Sequence, residues 1–238
     1  MYMKNSIKCK SCSAENPSYE YICGNCGSYI RERVYNIDLW QTIARLIDSP
    51  AEAFRKIVYA EHKNFIFFII IILAAKFLID VRFIAVVSIG EFNPGTAVVV
   101  SYIIVLTVSI IYLALYSYIF KVVHSEFGID TRFRDNFTLI IYALLPNVFA
   151  LVLLFPLEME VFGKYLFSSN PSPFVIKSTI AYTFLAAEIL IKLWSIVLIY
   201  KAFKTQTADA LPAIADTIIF VFFMGLIQYY LSIIIFTI

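Results

Sequence analysis

The chain has 238 residues, of which 61% are apolar, 17% aromatic and only 15% charged, and its mean hydropathy is +0.82. An ordinary soluble domain carries about a quarter charged residues, so the composition argues against disorder, a coiled coil and a water-soluble enzyme, and for a polytopic membrane protein. The formal net charge of +2 is too small to point to nucleic acid as a partner, and where the charges sit matters more than their sum.

All four cysteines fall in the first 26 residues, spaced C-x2-C-x10-C-x2-C as Cys9, Cys12, Cys23 and Cys26. Two CxxC pairs suit one tetrahedral zinc ion, because each pair forms a tight knuckle that turns two thiolates toward one point. Gly24 and Gly27 follow the cysteines of the second pair, and are expected to let backbone amides swing toward the sulfurs and offset the doubly negative centre. Two disulfides, a redox CxxC and an iron site are the alternatives that the spacing leaves open. Residues 1–31 are thus read as a small β zinc ribbon, too short for a core of its own and folded by its metal. A full set of four thiolates leaves no open position for zinc catalysis.

Residues 32–63 are read as amphipathic juxtamembrane helices. The first, near 38–48, spaces Trp40, Ile43, Leu46 and Ile47 along one face. Ser49-Pro50-Ala51-Glu52 reads as a capping box that opens a second helix, with Phe54, Ile57 and Val58 on one side and Arg55, Lys56 and Lys63 elsewhere. Such faces fit either the headgroup layer of an anionic leaflet or the underside of a helix bundle.

Crossing a hydrocarbon core of roughly 30 Å takes about 20 apolar residues, which gives five expected spans. Those at 96–120, 137–157 and 217–238 carry no charge, that at 64–82 contains Lys76, Asp80 and Arg82, and that at 178–200 contains Glu188 and Lys192. No apolar stretch opens the chain, so no cleaved signal peptide is expected. Nine basic residues precede position 64, three lie in the loop 121–136 and two in the loop 201–216. Only Arg82, Lys164 and Lys177 lie on the opposite side, so the N-terminus and ribbon are expected in the cytosol and the C-terminus across the membrane. The acceptor triplet Asn136-Phe137-Thr138 then faces the cytosol and stays unglycosylated.

The strings SPAEAFRKIV, before the first span, and FRDNFTLIIYALLPNVFALV, opening the third, resemble the Yip family of membrane proteins, named for Ypt/Rab-interacting proteins. The resemblance covers roughly residues 48–238 and rests on Ser49-Pro50 with Phe54, on Tyr142 to Pro146, and on five spans behind a cytosolic N-terminus. A zinc ribbon ahead of such a domain is similar to prokaryotic members, which implies the plasma membrane of a prokaryote and no defined activity. Eukaryotic relatives are associated with small GTPases and vesicle traffic, and nothing in this sequence marks a GTPase-binding surface. Pro146 is expected to kink its span, with Asn147 satisfying a freed carbonyl or a neighbouring helix.

Lys76 and Asp80, like Glu188 and Lys192, stand four residues apart and can each close on one helix face. A charge in lipid costs roughly 2.5–3.5 kcal/mol on insertion scales, so these residues are expected to pair, snorkel or line a wet path. Lys76 is placed to snorkel, and Asp216 to sit at an interface or cap. His62 and His124 stand alone and no nucleophile, paired-carboxylate or phosphate-loop motif occurs, so no enzyme is expected. Two functions remain. The favoured one is a membrane adaptor or scaffold whose ribbon recruits a cytosolic protein. The other is a small ion- or proton-coupled transporter or channel past Glu188 and Lys192. Assembly into a homo-oligomer is open for both.

Overall fold

The computed structural model describes residues 5–89 and 97–237, so Lys4 of the basic count and the ends at 96 and 238 of two expected spans lie outside it. The chain divides into two compact units, one of Met1–Ile66, Leu113–Ala143 and Val197–Ile218, the other of Phe67–Tyr112, Leu144–Ile196 and Ile219–Ile238.

In the first unit, β1 (Ser6–Lys8) pairs antiparallel with β2 (Glu15–Pro17), with Ile7 opposite Asn16. Further on, β3 (Val34–Asn36) and β4 (Ala60–His62) pair in parallel, joined through α1 (Leu39–Asp48) and α2 (Pro50–Tyr59). Asp38 caps α1 by accepting the Gln41 N–H at 2.9 Å. The capping box expected at α2 does not form. Ser49 also ends α1, its N–H bonded to the Arg45 carbonyl, and its backbone (φ −145°, ψ 68°) departs from the extended geometry that turns a cap hydroxyl onto the next helix. Glu52 lies instead beside Lys56, at 3.8 Å.

Ala53, Phe54, Ile57 and Val58 of α2 are buried, so this helix packs inside its unit instead of lying in a leaflet. A fully buried Phe or Ile contributes about 1.5–3 kcal/mol, enough to decide that orientation. On α1 only Thr42 and Leu46 turn inward, while Trp40 is 77% exposed and Ile47 is exposed beside it. Helix α5 (Phe133–Ala143) is buried on almost every side, and Phe120 stacks on Phe203 with ring centroids 5.1 Å apart. Asn136, at the acceptor triplet, is buried, donating to Thr131 Oγ1 and accepting from Gln206 Nε2.

The second unit takes α3 (Ile66–Ile89) from Phe67, α6 (Leu145–Phe149), a π-helical turn (Ala150–Leu154), α7 (Phe155–Phe162) and α8 (Pro173–Ile176). The boundary between units falls inside α4 (Val98–Glu126), α9 (Ser178–Thr207) and α10 (Ala210–Thr237). Gly163 ends α7 at φ +52°, a left-handed setting that a Cβ would strain.

Among the described residues, four helical stretches are long and apolar enough to cross a membrane: Val98–Glu126, Leu145–Tyr165, Ser178–Thr207 and Ala210–Phe236. Their outward faces carry Ile103, Ile111, Leu190, Leu193 and Phe222, an exposure of apolar surface that suits lipid and not water. This fits a multi-pass membrane protein. Helix α3, at 24 residues about 36 Å long, has the length of a span but bears Lys76, Asp80 and Arg82. The span expected at 137–157 is displaced, because helix α5 stops at Ala143 and the apolar stretch restarts at Leu145. Pro146 therefore sits in the first turn of a new helix, where its missing N–H costs little, rather than kinking a continuous one.

Candidate metal centre and charged cavity

Cys9 and Cys12 lie in the turn between β1 and β2, and Cys23 and Cys26 in the turn closed by the Ile22–Tyr29 bridge. Their four sulfurs lie within 4.8 Å of one another, with Cys9–Cys26 at 3.7 Å and Cys12–Cys23 at 3.6 Å. Metal–sulfur bonds of about 2.3 Å in a tetrahedron set sulfur–sulfur edges of about 3.8 Å, whereas a disulfide requires about 2.05 Å. All four cysteines are free, and their spacing fits a four-thiolate metal site that these residues would hold.

The surroundings favour thiolate, the form that binds metal, at Cys9 and Cys23. At Cys12 the Ala14 N–H and the Asn25 side chain are outweighed by the neighbouring Cys26 and Cys23 thiols and by desolvation, which push that thiol up to about 11. The Ser28 hydroxyl, followed by the N–H groups of Cys12 and Ser11, brings the Cys9 thiol down to about 6. The N–H groups of Cys26 and Asn25 lower that of Cys23. Gly27, at φ +73°, closes the knuckle by donating to the Cys23 carbonyl at 3.0 Å. The part expected of Gly24 is corrected: its N–H goes to Asn16 Oδ1 at 2.9 Å, and it is the Asn16 amide that faces the Cys23 sulfur, at 3.5 Å.

The head is fastened to the rest of its unit. Asn5 Nδ2 donates to the carbonyls of Asp130 and Gln206, and Tyr19 donates to Asp130 Oδ2 at 2.8 Å. Burial, and then that carboxylate, push the Tyr19 phenol above its usual range. Arg31 stacks on the Tyr59 ring and Arg132 on the Tyr19 ring. His124, alone in the sequence, meets Asp216 at 2.8 Å, and Asp216 stands inside α10, past its first turn, so it does not cap that helix.

Asp135 is fully buried between Lys63 at 2.8 Å and Arg132 at 2.7 Å, and Lys63 also donates to the Ile57 and Val58 carbonyls. Burial brings the Lys63 ammonium down to about 8 from 10.5. Between those two pH values the unfolded chain binds more protons than the folded one, so this group's contribution to stability is smallest below pH 8 and grows as pH rises through the window. Stability measured for the natural chain minus that of Lys63→Met should therefore rise from pH 8 to 10.5, by on the order of 3 kcal/mol. A flat difference would contradict the burial-driven shift.

The charges of α3 and α9 form one crossed network. Lys76, 1% exposed, meets Asp80 at 2.9 Å and Glu188 at 2.8 Å, and Lys192 meets Asp80 at 2.5 Å and Asn147 Oδ1 at 2.7 Å. Lys76 thus does not snorkel, because two carboxylates hold its ammonium inside. The closure expected of Lys76 on Asp80 is present, while Glu188 and Lys192 both reach across to α3. Asn147 also donates to the Leu144 carbonyl and to Ser195 Oγ, fixing the break beside Pro146. These charges line a cavity of about 460 Å3 whose remaining wall is mainly apolar.

Glu158 lines the same cavity, and sequence reasoning missed it. It falls just beyond the span expected at 137–157, where it reads as a loop residue. A carboxylate at the very end of an apolar run was the available signal. Comparison of the chain with protein-family models, with curated proteins and with solved structures gives no match.

Proposed function

We propose that the chain is an integral membrane adaptor of the Yip kind, its cytosolic head folded around one structural zinc held by Cys9, Cys12, Cys23 and Cys26. Helix α3 is the fifth span, its Lys76 and Asp80 neutralised by pairing, so the two ends lie on opposite sides, and the nine basic residues before position 64 favour the head in the cytosol of a prokaryote and the C-terminus across its plasma membrane. The observation that carries the adaptor reading is a head tied down by Asn5, Tyr19 and Arg31 that nevertheless leaves Tyr29 76% exposed and Tyr35 and Trp40 exposed beyond it. Large aromatics on a preorganised surface are what protein partners use as anchors. Four thiolates leave the metal no open position, so its part is folding.

In membranes solubilised from native cells, the chain should recover a cytosolic protein that Tyr29→Asp fails to recover while retaining its metal. Equal recovery by both would sink the reading. The topology has its own test: a C-terminal tag should be reached from outside intact cells, and the head should not. Head and tail on the same side would remove α3 from the spans.

A second reading, a small ion- or proton-coupled transporter, draws on the crossed network of Lys76, Asp80, Glu188 and Lys192 beside a cavity. Flux through reconstituted vesicles that disappears in Glu188→Gln with Lys192→Met would put it ahead of the adaptor.

A further inference from the structure

The network leaves one charge over. Lys76 and Lys192 are matched by Asp80 and Glu188, which sums to zero, and Glu158 is the fifth ionisable group lining the cavity. Glu158 is 5% exposed and makes no hydrogen bond or ion pair among the described residues. The Glu158 carboxyl opens onto the cavity without a cation in ion-pair reach, since Lys76 and Lys192 are already taken by Asp80 and Glu188. Gln228, on the same cavity, buries its Nε2 without an acceptor. An unmatched acid and an unmatched donor thus face one space, and buried polar groups of this kind ordinarily have partners.

The rest of the wall says what kind of partner. Phe83, Phe174 and Phe184 with Ile84, Val87 and Leu185 make it aromatic and aliphatic. A volume of about 460 Å3 lies within the range of small-molecule sites, roughly 300–1,000 Å3, which combine apolar walls with a few converging polar groups. Aromatic faces also attract organic cations. A bare metal ion or a proton would answer Glu158 but leave the apolar wall empty. An anion carrying no cationic group would meet Glu158 with like charge, while both lysines are already engaged.

We propose that this cavity binds an amphiphile with an ammonium head, its cation against Glu158, an oxygen acceptor at Gln228 and its apolar body among Phe83, Phe174 and Phe184. The site lies wholly within the second unit and depends neither on the zinc head nor on a protein partner. Two sources share this chemistry, a free single-chain ammonium compound and the headgroup of a choline or ethanolamine phospholipid.

The test uses the purified full chain in nanodiscs of phosphatidylglycerol, with radiolabelled decanoylcholine as the probe and methyl decanoate as the neutral competitor. Saturable binding near one probe per chain is expected, undisturbed by methyl decanoate and weakened at least tenfold in Glu158→Gln. Ile84→Trp keeps the carboxylate but fills the apolar space, and should also abolish binding. Adding phosphatidylcholine to the discs separates the sources, since displacement of the probe assigns the site to a lipid headgroup and undisturbed binding assigns it to a free cation. Equal binding by the natural chain, Glu158→Gln and Ile84→Trp, or uptake that never saturates, would overturn the proposal. Because Ile84→Trp leaves all five charges in place, a Glu158→Gln chain that failed to fold would still leave the site open to refutation.

Discussion

Replacing Cys23 with Ser is expected to take the metal content of the purified chain from one zinc to near zero and to melt the head. The expectation rests on four free thiols whose cross-pair separations of 3.6 and 3.7 Å already match the edge of a tetrahedral thiolate site. The hairpin of β1 and β2 has three residues per strand, too little to hold without the metal. Structural zinc contributes about 10–16 kcal/mol to the folding of small metal-held domains, so loss of one ligand removes most of what orders the head. Elemental analysis gives the metal count, and limited proteolysis should cut the variant within residues 5–31 while the apolar helices stay protected. Zinc near zero in the natural chain under reducing, chelator-free conditions would sink the site. The consequence for its own unit is larger than a dangling head would imply. Asn5, Tyr19 and Arg31 are also the residues that hold Asp130, Gln206 and Tyr59, so melting the head should loosen the 127–132 connection as well.

The second large effect is expected from Lys76→Met. Lys76 is the one cation that both Asp80 and Glu188 share, and its removal leaves Glu188 with no counter-charge and Asp80 with Lys192 alone. Breaking a buried ion pair by taking away one partner typically costs 3–5 kcal/mol, because the remaining charge has lost its water and gained nothing. Thermal unfolding of the detergent-solubilised chain should shift down accordingly. Lys192→Met should cost clearly less, since the Lys192 side chain is over a third exposed and Asp80 keeps Lys76. Adding Glu188→Gln to Lys76→Met should recover part of the loss, because the orphaned charge is gone. Equal, small losses for both lysines would mean that water reaches the network freely, and that its charges are solvated rather than paired.

Much of this protein is legible in the order of its residues. Composition points to a multi-pass membrane protein because so large an apolar share with so few charges has no place in water, and four apolar helices among the described residues agree with it. The two CxxC pairs form a cluster fit for a metal because their geometry is local: each knuckle needs four consecutive residues and a turn, and only the meeting of the two knuckles depends on the fold. Lys76 and Asp80 were pairable from their spacing because a helix brings residues four apart onto one face.

What only the tertiary structure decided are matters between segments far apart in sequence. Glu188 and Lys192 close on Lys76 and Asp80, 112 residues away, and not on each other, since an ammonium with two carboxylates in reach takes the geometry that satisfies all four groups. Ser49 cannot serve as a cap because one residue ends α1 and starts α2, a conflict that helix-capping rules applied to each helix alone do not register. The third apolar stretch restarts after Ala143 at a break where Asn147 bonds the Leu144 carbonyl and is held by Ser195 and Lys192 from another helix. Glu158 looks like an ordinary residue at the end of an apolar run, and it becomes the unmatched acid of a cavity only when α3, α7 and α9 converge around it. Local patterns encode where the chain can be helical, apolar or knotted around a metal, because those follow from neighbours within a few residues. Which charge is answered and which is left bare follows from packing, because in a medium poor in water every buried charge must find its partner in space.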